Sequence, residues 1–227
     1  MNQHVKGNTM KYNLIPSGLV LGLLSLTSFS SASSEAVIAA ISIDGLHQKN
    51  GNGDYDKIVK GLGKVRVLTP TAAEKLFVKG DADCISPANA DSNFYTYSFP
   101  VITSNSMFQA KIYAYTPVGT PVLSNLSDLS GKKVGIRSGM PYGNEIDSSG
   151  LEFVKARDIE TNIKRLKQGK IDAFIAYWPD SDAAFDNAGI SSLTHAKDSP
   201  LAVHDDQVVC RDSESGRAVI EAVNSKL

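Results

Sequence analysis

The stretch DIETNIKRLKQGKIDAFIAY, residues 158–177, changes its period halfway along. Asp158 is a good N-cap, Glu160 puts negative charge in the first turn, and Ile159, Ile163 and Leu166 share one face at helical spacing. Basic residues gather just before Gly169, where they suit the negative end of a helix dipole. The pattern predicts a helix over 159–168. From Ile171 to Tyr177 the apolar residues run together, broken only by Asp172, which reads as a short strand buried on both faces. A helix feeding a buried strand is part of an alternating α/β architecture with a mostly parallel sheet.

The same alternation extends in both directions. Upstream, Val134–Ile136 and Leu151–Val154 read as strands and Pro141–Asp147 as a short helix. Downstream, Ser181–Asn187 reads as a helix, Ser192–His195 as a short strand and Gln207–Cys210 as an extended apolar run. Ser213 caps a closing helix whose stripe is Ala218, Val219, Ala222 and Val223. Thr116–Pro121 (TPVGTP) punctuates the chain. Before it come a buried strand over Ala36–Ile43 ending at Asp44-Gly45, and a helix with Tyr55, Ile58, Val59 and Leu62 on one face. A strand at Val65–Leu68, a helix at Thr71–Val78 and strands at Ala82–Ile85 and Ala110–Tyr115 follow, while Ser92–Tyr97 is aromatic without clear period. Two α/β units joined near Pro117 are expected.

Leu14–Phe29 is a short apolar run behind Lys6 and Lys11, followed by the small-residue stretch Ser30–Ala36. With Pro16, Gly18, Ser25 and Thr27 inside it, the run suits a cleaved export signal over residues 1–36 better than a membrane anchor, which needs roughly 20 mostly apolar residues. Cleavage after Ala32 or Ala36 fits, and Met10-Lys11 could begin an equally good signal. A periplasmic address follows. A formal net charge of −1 and 42% hydrophobic residues describe an ordinary soluble globule and exclude a nucleic-acid binder with a strongly basic face. Cys84 and Cys210 both lie in strand-like runs; an oxidising compartment lets them form a disulfide, and the alternative is two buried thiols packed as small hydrophobes. Neither lies near the cleavage region, so a lipid anchor has no acceptor there.

Four blocks in order resemble the extracellular solute-binding proteins of type II, the polar amino-acid group of ABC importers. They are Gly80–Ile85 (GDADCI), Tyr97–Val101 (YSFPV), Leu126–Gly139 (LSDLSGKKVGIRSG) and Leu166–Ile175 (LKQGKIDAFI). The resemblance implies two lobes, each a mostly parallel sheet flanked by helices, linked by two hinge strands and closing over a ligand in the cleft. Lobe one would be 37–115 plus 206–227 and lobe two 116–205, with hinges near Tyr113–Pro117 and His204–Val208. It also implies no cofactor and a monomer that serves an inner-membrane ABC permease or a sensor receptor. Two of the family's ligand clamps are missing: Pro87–Asn93 contains no Arg for a carboxylate, and Tyr177 stands where the ammonium-binding Asp is usual.

The candidate ligand contacts are Asp44, Ser86, Arg137, Ser138, Gly139, Tyr142, Tyr177 and Trp178. Arg137 ends a lobe-two strand and offers a planar fork of donors to a carboxylate or phosphate. Ser138, Gly139 and Met140 lead toward a helix whose first N–H groups could hold an anion. Asp44 could take a cation, or simply form the turn before Gly45. Ser86 offers a hydroxyl at a strand end, and Tyr142, Tyr177 and Trp178 offer aromatic walls. An enzyme is not expected: His47, His195 and His204 have no metal-ligand spacing, and neither a Gly-x-Ser-x-Gly elbow nor a P-loop occurs. Asp81 and Asp83 share one strand face but read as solvated charges at a strand entry. The expected function is capture of a small polar, anionic solute for import. The alternative is a sensing or interaction protein of the same fold.

Overall fold

The structure is a computed structural model that describes Met1 and residues 35–227. The export signal read over 1–36 falls, apart from its ends, outside the described residues.

Strand β1 (Val37–Ile41) lies between β2 (Lys64–Leu68) and β3 (Cys84–Ala88), parallel to both. Its Ile38, Ala39 and Ala40 are fully buried, which is why the run is apolar without alternation. Helices α1 (Asp54–Val59) and α2 (Pro70–Lys79) make the two connections. Helix α2 starts with Pro70, where a missing N–H costs nothing, and stops at Gly80, whose φ of 84° continues no helix. Its Ala73 and Phe77 pack with Ile41 and Ile85 on one face of the sheet. Helix α6 (Glu214–Asn224) packs Val219, Ile220 and Val223 with Ile38 and Val59 on the other.

The chain passes through β4 (Val101–Thr103) into β5 (Phe108–Tyr115), which opens the second lobe. There β6 (Lys133–Arg137) lies between β7 (Glu152–Ala156) and β8 (Ala173–Trp178), parallel to both, and β5 runs antiparallel to β8. Helix α3 (Asn144–Asp147) covers one face; α4 (Ile159–Lys167) and α5 (Asp180–Asn187) cover the other. The Asp158 carboxylate accepts from Thr161 N at 2.9 Å, so α4 is capped as its sequence predicts. Strand β9 (Ala202–Arg211) returns to the first lobe, completing the order β2-β1-β3-β9-β5-β8-β6-β7 with β4 paired to β9.

β9 changes its partner strands along its length. Ala202–Asp206 pairs with β5, whereas Gln207–Arg211 pairs with β3 and β4. That partner change falls within 204–208. The other crossing lies earlier than Tyr113–Pro117: all of β5 pairs with β8 or the β5-facing half of β9, and Tyr113 and Tyr115 are core residues of the second lobe. The chain crosses at Ser104–Met107, tied to β9 by Ser104 N to Val208 O at 2.9 Å and Met107 N to Asp206 O at 2.7 Å. Ser192–His195 forms only an isolated bridge, Thr194 with Thr116.

Cys84 and Cys210 face each other across β3 and β9 and are joined by a disulfide, Cα to Cα 4.0 Å. The link closes a sequence separation of 126 residues. Chain-entropy reasoning gives such a loop about 5 kcal/mol of stabilisation through the denatured ensemble.

Candidate functional site

The parallel strands of both lobes end toward a shared cleft of about 560 Å³. From the first lobe, β1 delivers Ser42 and Asp44, and β2 delivers Thr69 at the start of α2. From the second, β6 delivers Arg137, β7 leads to Asp158 at the start of α4, and β8 leads to Asp180 at the start of α5. Three helix N-termini therefore converge on the cleft, as expected where crossovers return at the carboxyl ends of parallel strands.

The lobes touch across it. Arg137 Nη2 donates to Ser42 O at 2.6 Å, Asn187 Nδ2 donates to Asp44 Oδ2 at 2.9 Å, and Asn144 N donates to Asn93 at 2.9 Å. Gly139 abuts Thr71: a Cβ there would sit 2.9 Å from Thr71 N and closer still to its Oγ1, at a φ of 78° that a side chain rarely adopts. This contact separates the charged cleft from a second hollow of about 270 Å³, lined by Glu74, Phe94, Tyr95, Tyr97 and Met140.

Arg137 and Asp180 carry the electrostatics of the cleft. The Arg137 guanidinium is half-buried, and its Nε is buried without a partner. Asp180 is 7% exposed. Burial, with the nearby Asp206 carboxylate, pushes the Asp180 carboxyl up to about 7, while Arg137 pulls it down. Lys49 and Asp44 stand at the rim. The arrangement offers donors for an anionic group and, beside them, a carboxyl that ionises readily once a cation arrives.

The candidates read from sequence come to different places in the fold. Arg137 and Asp44 line the cleft. Tyr142 and Tyr177 are buried and committed internally: the Tyr142 hydroxyl accepts from Arg137 N at 2.9 Å, and the Tyr177 hydroxyl donates to Pro141 O. Tyr142 thus holds the end of β6 that carries Arg137. Ser138 and Gly139 do not open a helix, because α3 begins at Asn144 and Ser138 N is already bonded to Ala156 O at 2.8 Å. Trp178 lines a different hollow, with Lys111, Tyr113 and Asp182.

Ser86 is sealed inside the first lobe. Its Oγ is 2.9 Å from His47 Nε2, and His47 Nδ1 is 2.8 Å from Asp56 Oδ1. Burial lowers the His47 pKa, so the neutral ring donates at Nδ1 and accepts the Ser86 hydroxyl at Nε2. The order Ser, His, Asp matches a nucleophile relay, but Ser86 and His47 are 0% exposed. No substrate reaches that oxygen. Asp56 also accepts from Gln48 N at 2.9 Å and Gly53 N at 3.0 Å, so the network ties the loop after β1 to α1 and β3.

Sequence reasoning missed Asp180 and a second buried network at the hinge. The Tyr55 hydroxyl donates to Asp206 Oδ2 at 2.6 Å, and His204 Nδ1 lies 2.8 Å from Asp206 Oδ1. Phe94, Tyr95 and Tyr177 meet the His204 ring edge-on at centroid distances of 4.7, 6.0 and 5.6 Å. Asp180 had a readable signal: an acid just past a strand's carboxyl end, behind Pro179 and opening a helix. The hinge network had none, because Tyr55 and Asp206 are 151 residues apart.

No family model matches this sequence, and no curated protein does either. The fold, by contrast, is the two-lobed one of type II periplasmic binding proteins. It resembles the GluR0 ligand-binding core in complex with L-glutamate (TM-score 0.67, 11% identity, 87% of this chain and 93% of that one). It also resembles holo ArgBP from T. maritima (TM-score 0.63, 16% identity, 84% and 88%). A third likeness is to the amino acid ABC transporter substrate-binding protein AbpA from Streptococcus pneumoniae bound to L-arginine (TM-score 0.62, 16% identity, 85% and 88%). These neighbours are binding proteins, and the likeness extends along most of every chain. Among the described residues no helix is long and apolar enough to cross a membrane.

Proposed function

We propose that this chain is an exported solute-binding protein that closes its two lobes over a small polar solute in the periplasm and presents it, as a monomer, to an inner-membrane ABC importer. The observation that carries the reading is that Arg137 and Asp180, at the ends of two lobe-two strands, line one cleft with Ser42 and Asp44 of the other lobe. The solute's anionic group is placed at the Arg137 fork and a cationic group at Asp180, a charge order that suits a zwitterion or a bipolar metabolite. The arginine-bound and L-glutamate-bound neighbours make those two solutes natural first probes.

Isothermal titration of the purified chain against L-arginine, L-glutamate and a panel of other small polar metabolites tests the proposal. Binding by at least one of them, weakened by Arg137→Ala, supports it. Heat from none contradicts it.

A sensing role is the second reading, favoured by the rings of Phe94, Tyr95 and Tyr177 packed around His204, which fill the middle of the interlobe space with the chain's own side chains. Under that reading closure is read by a membrane receptor, and the protein binds its solute without any permease. Transport of the solute into vesicles carrying a cognate permease separates the two.

A further inference from the structure

On the sheet face that α5 covers, the second lobe has a separate hollow of about 370 Å³. Lys111, on β5, is half-buried in its wall; Lys197 and His195 come from the segment following α5, and Trp178 from the end of β8. Neither lysine makes an ion pair or a side-chain hydrogen bond among the described residues. The surrounding groups are already committed: Trp178 Nε1 donates to Asp182 Oδ2 at 2.8 Å, and the Tyr113 hydroxyl donates to Lys197 O at 2.9 Å. His195 Nδ1 donates to Leu193 O at 3.0 Å, and its ring packs against Tyr113 and Tyr115, so it shapes the wall without supplying a donor. Two lysines, one half-buried and one exposed, thus stand in a concave site against a single carboxylate, an excess of positive charge that an anion would balance. Asp182 is the one carboxylate in the wall; its Oδ2 accepts the indole N–H, which holds it in place without neutralising it.

We propose that this hollow is a second ligand site, distinct from the interlobe cleft, that takes a small anion of the carboxylate or phosphate type between Lys111 and Lys197, against the Trp178 ring. Lysine suits such a site as a point charge that does not demand one geometry of the anion. The hollow and the cleft are joined by chain: Trp178 stands two residues before Asp180, so the turn that forms one wall of the hollow also sets the acid of the cleft. An anion that moves Trp178 is felt at Asp180, and by reciprocity a cleft solute alters affinity in the hollow.

Trp178 is the chain's one tryptophan, so its fluorescence reports on the hollow directly. The test titrates the purified chain with inorganic phosphate and, separately, with acetate, against sodium chloride at matched ionic strength. The proposal expects a saturable change in Trp178 emission with phosphate or acetate that chloride does not reproduce, weakened about tenfold or more in Lys111→Gln/Lys197→Gln. These side chains contact no core residue by hydrogen bond, and an unchanged thermal midpoint in the variant confirms that the loss is local. No saturable change, or equal changes with all three salts, overturns the site. An anion seated in the cleft instead keeps its signal in the lysine variant and loses it in Arg137→Ala, which also overturns the site while leaving the proposed cleft function standing.

Discussion

Asp180 is the residue whose ionisation the cleft controls. Its native pKa, about 7, stands above the ordinary carboxylate value, so between those two pH values the folded chain holds a proton that the unfolded chain releases. Stability from this group is present below the unfolded pKa and lost as pH rises toward 7, after which the full cost of a buried carboxylate persists. Asp180→Asn should therefore raise the thermal midpoint at pH 8 by several degrees and change it much less at pH 5, taking about 2–4 °C per kcal/mol for a chain of this size. Scanning calorimetry at both pH values checks this, and an equal shift at both contradicts it. A solute that places a cation at Asp180 should bind more tightly as pH rises through 7 and expel a proton on binding, which titration in buffers of different ionisation enthalpy detects. Arg137 acts on the other end of the solute. Removing a charge-assisted hydrogen bond worth roughly 1.5–3 kcal/mol predicts that Arg137→Ala weakens binding at least about tenfold.

At the scale of elements, the local rules that shape single helices and strands were legible, and those that require distant partners were not. The cap at Asp158, the stop at Gly80 and the uninterrupted burial of β1 each follow from residues adjacent in sequence. Strand β4 and the polar first half of β9 (AVHDD) carry too little apolar signal to be read alone; their pairing with each other's neighbours makes them strands. Arg137 and Asp44 could be read as cleft residues because the first ends a strand and the second follows one, while Ser86, in mid-strand, is sealed by His47 nearly forty residues earlier in the chain. That network sets the register of the loop after β1. Asp56→Ala removes an acceptor used by His47, Gln48 and Gly53 and is expected to cost about 3 kcal/mol, a fall in thermal midpoint of roughly 6–12 °C. Glycine 139 belongs to the same scale: a methyl there collides with the start of α2, so Gly139→Ala should hold the lobes apart and weaken solute binding without unfolding either lobe. Circular dichroism and calorimetry on that variant separate the two effects.

For the whole molecule, two halves with cores on both sheet faces are joined by two passages of backbone, at Ser104–Met107 and within β9. The proposed closure is expected to bend the chain where the partner strand changes, and the buried Tyr55–Asp206–His204 network sits at that place. The Cys84–Cys210 disulfide lies wholly in the first lobe, between β3 and the returning half of β9. Reduction should therefore lower global stability by up to about 5 kcal/mol in denaturant unfolding while leaving the closing motion intact. The most direct test of a clamshell closing over a small charged solute is small-angle X-ray scattering of the purified chain, without its first 36 residues, titrated with the metabolite panel. The account predicts that at least one solute reduces the radius of gyration at saturation toward about 16 Å, the value for a compact globule of this length, and that Arg137→Ala shifts the transition to higher solute concentration. A radius of gyration that no solute changes contradicts it.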